Sequence, residues 1–176
     1  MPVGQPESAW SAPGILVAMR FLHFDRVTVL VKGERIRGCK SFSLAEPYIE
    51  HHFPRMPVVP AALQLESMAQ LVGWGIAHAL EFRALPIMSL ARGLTFAEPL
   101  LRPGLTVEVV GEFVAITTHD SLGRAWIEHE GQRIATVEGI IYTHVPAREP
   151  AELRRLCAYL AGPGVVDAEP AGIGGQ

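Results

Sequence analysis

From Glu50 to Leu71 the chain reads Glu-His-His-Phe-Pro-Arg-Met-Pro-Val-Val-Pro-Ala-Ala-Leu-Gln-Leu-Glu-Ser-Met-Ala-Gln-Leu, and this stretch limits the possible folds more than any other. Pro54, Pro57 and Pro60 remove backbone donors and hold the residues before them extended, so the first half is a stiff, irregular loop. Pro60 has the fixed φ suited to the first turn of a helix, and no proline follows until Pro86. A long helix is therefore predicted over roughly Ala61 to Phe82. Its apolar side chains, among them Leu63, Leu65, Met68, Leu71, Trp74 and Ile76, go round the whole wheel, and a helix apolar on most sides is buried on most sides.

Segments with strand character lie both before and after that helix. Val27 to Lys32 and Arg35 to Leu44 read as two strands joined at Gly33-Glu34. Beyond Pro86 the pattern predicts strands over Ile87 to Phe96, broken near Gly93, and over Leu105 to Thr118. A turn is expected at 119–123, then a closing hairpin of Arg124 to Glu130 and Arg133 to Val145 about Gly131-Gln132. The order is α+β with a mainly antiparallel sheet, and one helix buried on so many faces needs the sheet to curl round it. The expected organisation is a flexible segment over 1–14 and a single domain over 15–146. A short helix near Glu149 to Leu160 and a Gly/Pro-rich tail follow within 147–176.

Composition excludes several function classes. With 49% hydrophobic and 19% charged residues the chain is globular, and a net charge of -3 without a basic cluster gives no reason to expect nucleic acid. Cys39 and Cys157 have neither metal spacing nor the density of a disulfide framework, which fits a reducing compartment. The apolar run Ile15 to Met19 is too short for a span or a signal core, so a cytoplasmic protein with no membrane partner is expected.

Chemistry concentrates on the loop and helix. Glu66 lies in a mostly apolar helix with no Lys or Arg between Arg55 and Arg83 to pair with it. An unpaired buried carboxylate is costly unless protonated or hydrogen-bonded, so a carboxyl that holds its proton near neutral pH is the sharp reading and a solvent-facing Glu the plain one. Glu50, His51 and His52 are adjacent in a loop where neighbouring side chains diverge, so no metal site is expected. His23, His78, His119, His129 and His144 read as surface or packing residues, and Trp74 and Met68 as core.

The runs His52-Phe53-Pro54, Pro57-Val58-Val59-Pro60 and Glu66-Ser67-Met68-Ala69-Gln70 resemble the active-site signature of the FabZ-type β-hydroxyacyl-(acyl carrier protein) dehydratases, H-F-P-G-x-P-V-M-P-G followed by a helix containing E-A-M-A-Q. Arg20-Phe21-Leu22, Asp25-Arg26-Val27, Glu46-Pro47, Glu98-Pro99 and Pro103-Gly104 extend the resemblance over most of residues 20–145. It implies a hot-dog fold and a cofactor-free hydro-lyase that turns a 3-hydroxyacyl thioester into a trans-2-enoyl thioester in fatty-acid or polyketide-type synthesis. The implied partners are an acyl carrier protein or coenzyme A thioester and a second copy of the chain, in a homodimer or higher assembly with shared active sites.

Such an elimination needs a base for the C2 proton, an acid for the leaving hydroxyl and donors for the thioester oxygen. His52 suits the first role and a protonated Glu66 the second. The free backbone N–H at Ala61, on the positive end of the helix, suits the third, and Gln70, one turn beyond Glu66, can hold the carboxyl. Three departures from the family's pattern matter. Arg55 stands where the family has Gly after His-Phe-Pro, where it would depress the neighbouring imidazole's pKa or bind a substrate phosphate or carboxylate. Ala61 stands where a Gly is usual at the helix start, adding a methyl where the thioester approaches. Near Leu94 to Leu101, where the family often carries basic residues, the chain has Thr95, Ala97 and Glu98. Two alternatives follow: a non-catalytic dehydratase-like acyl-binding or scaffold subunit, and a hot-dog thioesterase in which Glu66 activates water.

Overall fold

The computed structural model describes residues 21–50, 52–97, 100–163 and 165. The expected flexible segment over 1–14, His51, the Glu98-Pro99 pair and most of the Gly/Pro-rich tail lie outside the described residues. The described part forms six strands, β1 (Arg26–Val31), β2 (Arg35–Phe42), β3 (Ala84–Phe96), β4 (Leu105–Ile116), β5 (Asp120–His129) and β6 (Gln132–Pro146), and three helices, α1 (Pro47–Glu50), α2 (Ala61–Ala79) and α3 (Pro150–Ala161). The strands make one antiparallel sheet in the order β1-β2-β4-β5-β6-β3, with α2 against its concave face. This is the hot-dog arrangement, a curved sheet round one long helix.

The curl has a visible origin. Register shifts at Val27/Val29, Met88/Leu90, Phe113/Ala115 and Gly123/Ala125 mark bulges, each of which bends its strand and adds twist. On the inner face, residues without side chains let helix and sheet approach. A Cβ on Gly111 or Gly123 would lie 2.5 or 2.8 Å from the Val72 methyls, and one on Gly75 of α2 would lie 2.3 Å from the Phe113 ring. Met68, Leu71, Val72 and Ile76 of α2 are thereby sealed against Ile36, Val109, Ile127 and Val137 of the sheet. At about 1.5–3 kcal/mol for each fully buried large aliphatic side chain, this interface supplies much of the drive to fold.

Two boundaries differ from expectation. α2 stops at Ala79 instead of reaching Phe82, because Glu81 and Phe82 both take positive φ (55° and 56°) and turn the chain back. β3 begins at Ala84, ahead of Pro86, and runs through it. Proline cannot donate to a ladder and is tolerated at a sheet edge, which is where β3 lies. Among the described residues no helix is long and apolar enough to cross a membrane.

Candidate active site

α2 is not covered on every side. Leu63, Glu66, Gln70 and Trp74 are all half-buried, and their spacing of three and four residues puts them on one flank that the sheet leaves open. Glu66 is thus a wall residue and not the fully buried carboxyl the apolar wheel implied. Beside this flank lies a cavity of about 380 Å³, bounded by α2 on one side and by Leu85, Pro86, Ile87 and Met88 of β3 on the other. Trp74 lines it, contrary to the expectation that this indole belongs to the core, whereas Met68 is fully buried as expected.

One side-chain amide holds the polar end of the cavity. Gln70 Nε2 donates to Glu66 Oε1 at 2.7 Å and to the Phe21 carbonyl at 2.8 Å. Gln70 Oε1 accepts the backbone N–H of His23 at 2.8 Å. Both amide protons and the carbonyl are used, so the orientation of the amide is fixed and with it the carboxyl it grips. Tyr142, from β6, donates its hydroxyl to the Ala69 carbonyl at 2.8 Å and closes the cavity floor. Burial first, and then the charge of Glu66, push its phenol well above the ordinary value, so it remains a donor.

His23, which the sequence places among surface or packing residues, is buried, and its backbone N–H joins this network. Its ring is 8% exposed and stacks edge-on to Phe21, with centroids 4.7 Å apart. Burial lowers its pKa below the ordinary 6.5; Glu66 and Glu46 oppose that shift and Lys40 reinforces it. Lys40, itself buried, lies 3.3 Å from Asp25 and 3.6 Å from Glu46. The sequence signal for His23 was slight: a histidine just before a strand, 47 residues from its partner.

The proline loop is stiff at both ends. Val59 N–H donates to the Leu101 carbonyl at 2.8 Å, and Gln64 Nε2 returns to the Val59 carbonyl at 3.0 Å. His52 N–H donates to the Ile49 carbonyl of α1 at 3.1 Å, and its Nδ1 faces the Val58 carbonyl at 3.3 Å. A carbonyl can only accept, so in the neutral ring Nδ1 carries the proton and Nε2 keeps its lone pair. Phe53, stacked on His52 with centroids 4.6 Å apart, sits at φ 63°, a conformation that costs a non-glycine residue about 1–3 kcal/mol.

Glu66 and Gln70 are therefore brought together. His52 does not line their cavity; it lies on the loop with Arg55, whose side chain is exposed, and the exposed Ala61 begins α2. Pro60 and Ala61 leave the start of α2 without a side-chain cap, so the Ala61 N–H is open to an incoming acceptor. Among the described residues no group of three His, Cys, Asp or Glu is placed to hold a metal ion.

Residues 16–137 match the model of the FabA-like domain. A protein from Variovorax paradoxus named 3-hydroxyacyl-[acyl-carrier-protein] dehydratase FabZ is 34% identical over 116 residues, covering 62% of this chain and 77% of that relative. A protein of the same name from Caldicellulosiruptor saccharolyticus is 28% identical, covering 67% of this chain and 84% of that one. The match to the FabZ of Paracidovorax citrulli is denser, 47% identity, but spans only 36% of that relative's length and 30% of this chain. Among solved structures, a thioesterase from Staphylococcus aureus superposes with a TM-score of 0.54 at 10% identity, covering 68% of this chain and 92% of that one. A Streptococcus mutans protein bound to acetyl CoA gives 0.54 at 11%, covering 71% and 90%. At such identities the structural likeness is one of fold.

Proposed function

The chain belongs to the FabA-like family, and we propose that it is a hydro-lyase that eliminates water from a 3-hydroxyacyl thioester, carried by an acyl carrier protein or coenzyme A, to give the trans-2-enoyl thioester. His52 Nε2 takes a proton from C2, and the electron pair moves toward the thioester carbonyl, whose oxygen receives the Ala61 N–H at the positive end of α2. The C2–C3 double bond then forms as the C3–O bond breaks. Glu66, in its acid form, passes its proton to the departing hydroxyl, which leaves as water. Gln70 positions the carboxyl, and Arg55 lies on the loop where a carrier's phosphate can approach. The proposed steps are proton transfers and one C–O cleavage without net oxidation or reduction, so they call for no redox cofactor.

The observation that carries this reading is the division of the two groups: a gripped carboxyl in an apolar cavity, and an imidazole with a defined free nitrogen that does not line it. A second copy of the chain, paired along the uncovered edge of β3 beside the cavity, would bring its own His52 to this Glu66, so the active form is a homodimer with shared sites.

The test is complementation. His52→Ala and Glu66→Gln are each expected to lose about 10²–10⁴-fold in turnover of 3-hydroxyoctanoyl pantetheine while remaining folded. Unfolding and refolding the two inactive variants together should restore about a quarter of wild-type activity, because half the dimers are mixed and each has one intact site of two. Full activity in either single variant sinks the assignment of that residue. Inactivity of the refolded mixture, with dimers present, refutes the shared site.

A further inference from the structure

The cavity beside Glu66 has a far end, and the element that forms it lies outside the residues matched to the family. Glu66, Ala69, Gly73 and Ala77 of α2 all line the cavity. From Glu66 to Ala77 the helix rises about 16 Å at roughly 1.5 Å per residue, so the cavity is a groove about three turns long. One more wall residue, Leu153, comes from α3. α3 is held where α2 ends. Arg154 donates to the Glu81 carbonyl at 3.3 Å and sits over the Phe82 ring at 5.2 Å, while Leu156 and Leu160 are buried in the core. Glu81 in turn is bonded to Lys32 at the end of β1. Leu153 shares the inward face of α3 with Leu156, Cys157 and Leu160 and packs against the core. Because its neighbour Arg154 is bonded to Glu81, two residues past the end of α2, Leu153 is expected at the Ala77 end of the groove and not at Glu66.

We infer that α3 is the end wall of the acyl groove and that Leu153 sets the longest acyl chain the site accepts. The inference rests on the dehydratase reading for the orientation of the substrate: thioester at Glu66, alkyl tail running along α2. The groove walls are apolar, with Leu85, Ile87 and Met88 facing Trp74 and Ala77, which suits an alkyl tail and not a polar one. An octanoyl tail fits within three helical turns, whereas an extended palmitoyl tail exceeds that length and meets Leu153. The protein is then a medium-chain enzyme whose selectivity resides in its C-terminal helix.

The experiment uses the full chain with Leu153→Ala and Leu153→Trp. kcat/KM is measured on 3-hydroxybutyryl, 3-hydroxyoctanoyl and 3-hydroxypalmitoyl pantetheine. In parallel, the saturated butyryl, octanoyl and palmitoyl thioesters, which cannot react, are titrated by calorimetry. The wild type should prefer octanoyl to palmitoyl. Leu153→Ala should raise the palmitoyl-to-octanoyl ratio by about tenfold or more, and Leu153→Trp should lower the octanoyl-to-butyryl ratio by a similar factor, since a methylene gained or lost in an apolar pocket changes selectivity by about 10–200-fold. A wild type that takes palmitoyl as well as octanoyl, or a folded Leu153→Ala variant with the wild-type length profile in both turnover and binding, overturns the end wall. If Leu153→Trp does not fold, the Ala variant alone decides. Absence of wild-type turnover on every substrate would instead refute the dehydratase reading, and the binding series would still decide the position of the wall.

Discussion

The two edges of the sheet are built on opposite plans. β1 has six residues, carries a bulge at Val27/Val29 and has α3 packed on it. β3 has thirteen, pairs only with β6 and leaves Ile87 and Leu90 51% and 48% exposed. Unpaired N–H and C=O groups along an open edge template further pairing, and folds protect against it with short, bulged or covered edge strands. β1 has all three protections; β3 has a bulge and Pro86 but remains long, apolar and uncovered. One edge is closed from within the chain. The other fits the proposed pairing with a second copy, and the apolar cavity with Glu66 lies directly beside it.

The largest effect should come from attacking the open edge. Leu90→Asp combined with Leu94→Asp places charge along β3 where the partner strand would lie. Light scattering should report monomers, and turnover should fall by about a hundredfold or more, because a carboxylate forced into an apolar contact is strongly unfavourable. A dimer that persists would mean that β3 is not where the copies meet. The closed edge should respond in stability and not in assembly. Leu160→Ala empties a core position beneath α3 and should cost about 2–5 kcal/mol in urea unfolding with the oligomeric state retained. A loss below about 1 kcal/mol would show that α3 is only loosely seated.

The smallest effect concerns His23, just ahead of β1. Its folded pKa lies below 6.5, so the unfolded chain takes up a proton that the folded chain resists. The stability this contributes is complete above pH 6.5 and is lost as pH falls toward the folded value, with Glu66, Lys40 and Glu46 setting how far. Thermal melts at about pH 7.5 and about pH 5 should therefore show a smaller drop in Tm for His23→Gln than for the wild type. Equal drops would assign the acid sensitivity of this edge to other groups.

The sequence made the loop, the helix and the Glu66–Gln70 pair legible because each rests on local rules: proline geometry, the all-round apolar wheel and the one-turn spacing of a helix. It misplaced what depends on distant partners. Pro86 read as a strand boundary, since nothing local says that β3 is an edge. One misplacement is local: the turn expected at 119–123 falls earlier because Thr117 Oγ1 bonds the Asp120 carboxyl at 2.8 Å and receives the backbone N–H groups of His119 and Asp120, which lets β5 start at Asp120. Trp74 read as core because the wheel shows how apolar a helix is, not which flank the sheet leaves bare. His23 reads only as a surface or packing residue because its link to Gln70 is made by its backbone N–H, which every residue but proline possesses.

That link determines where the chain tolerates changes in length. Phe21, His23 and Glu66 share a single amide, so the distance from Phe21 to the start of β1 is transmitted to the carboxyl at residue 66. A residue inserted between His23 and Arg26 would have to break one of the three bonds or drag the carboxyl with it. The same insertion beside Gly131, in an exposed hairpin whose added Cβ meets nothing within 4 Å, would leave that carboxyl where it stands.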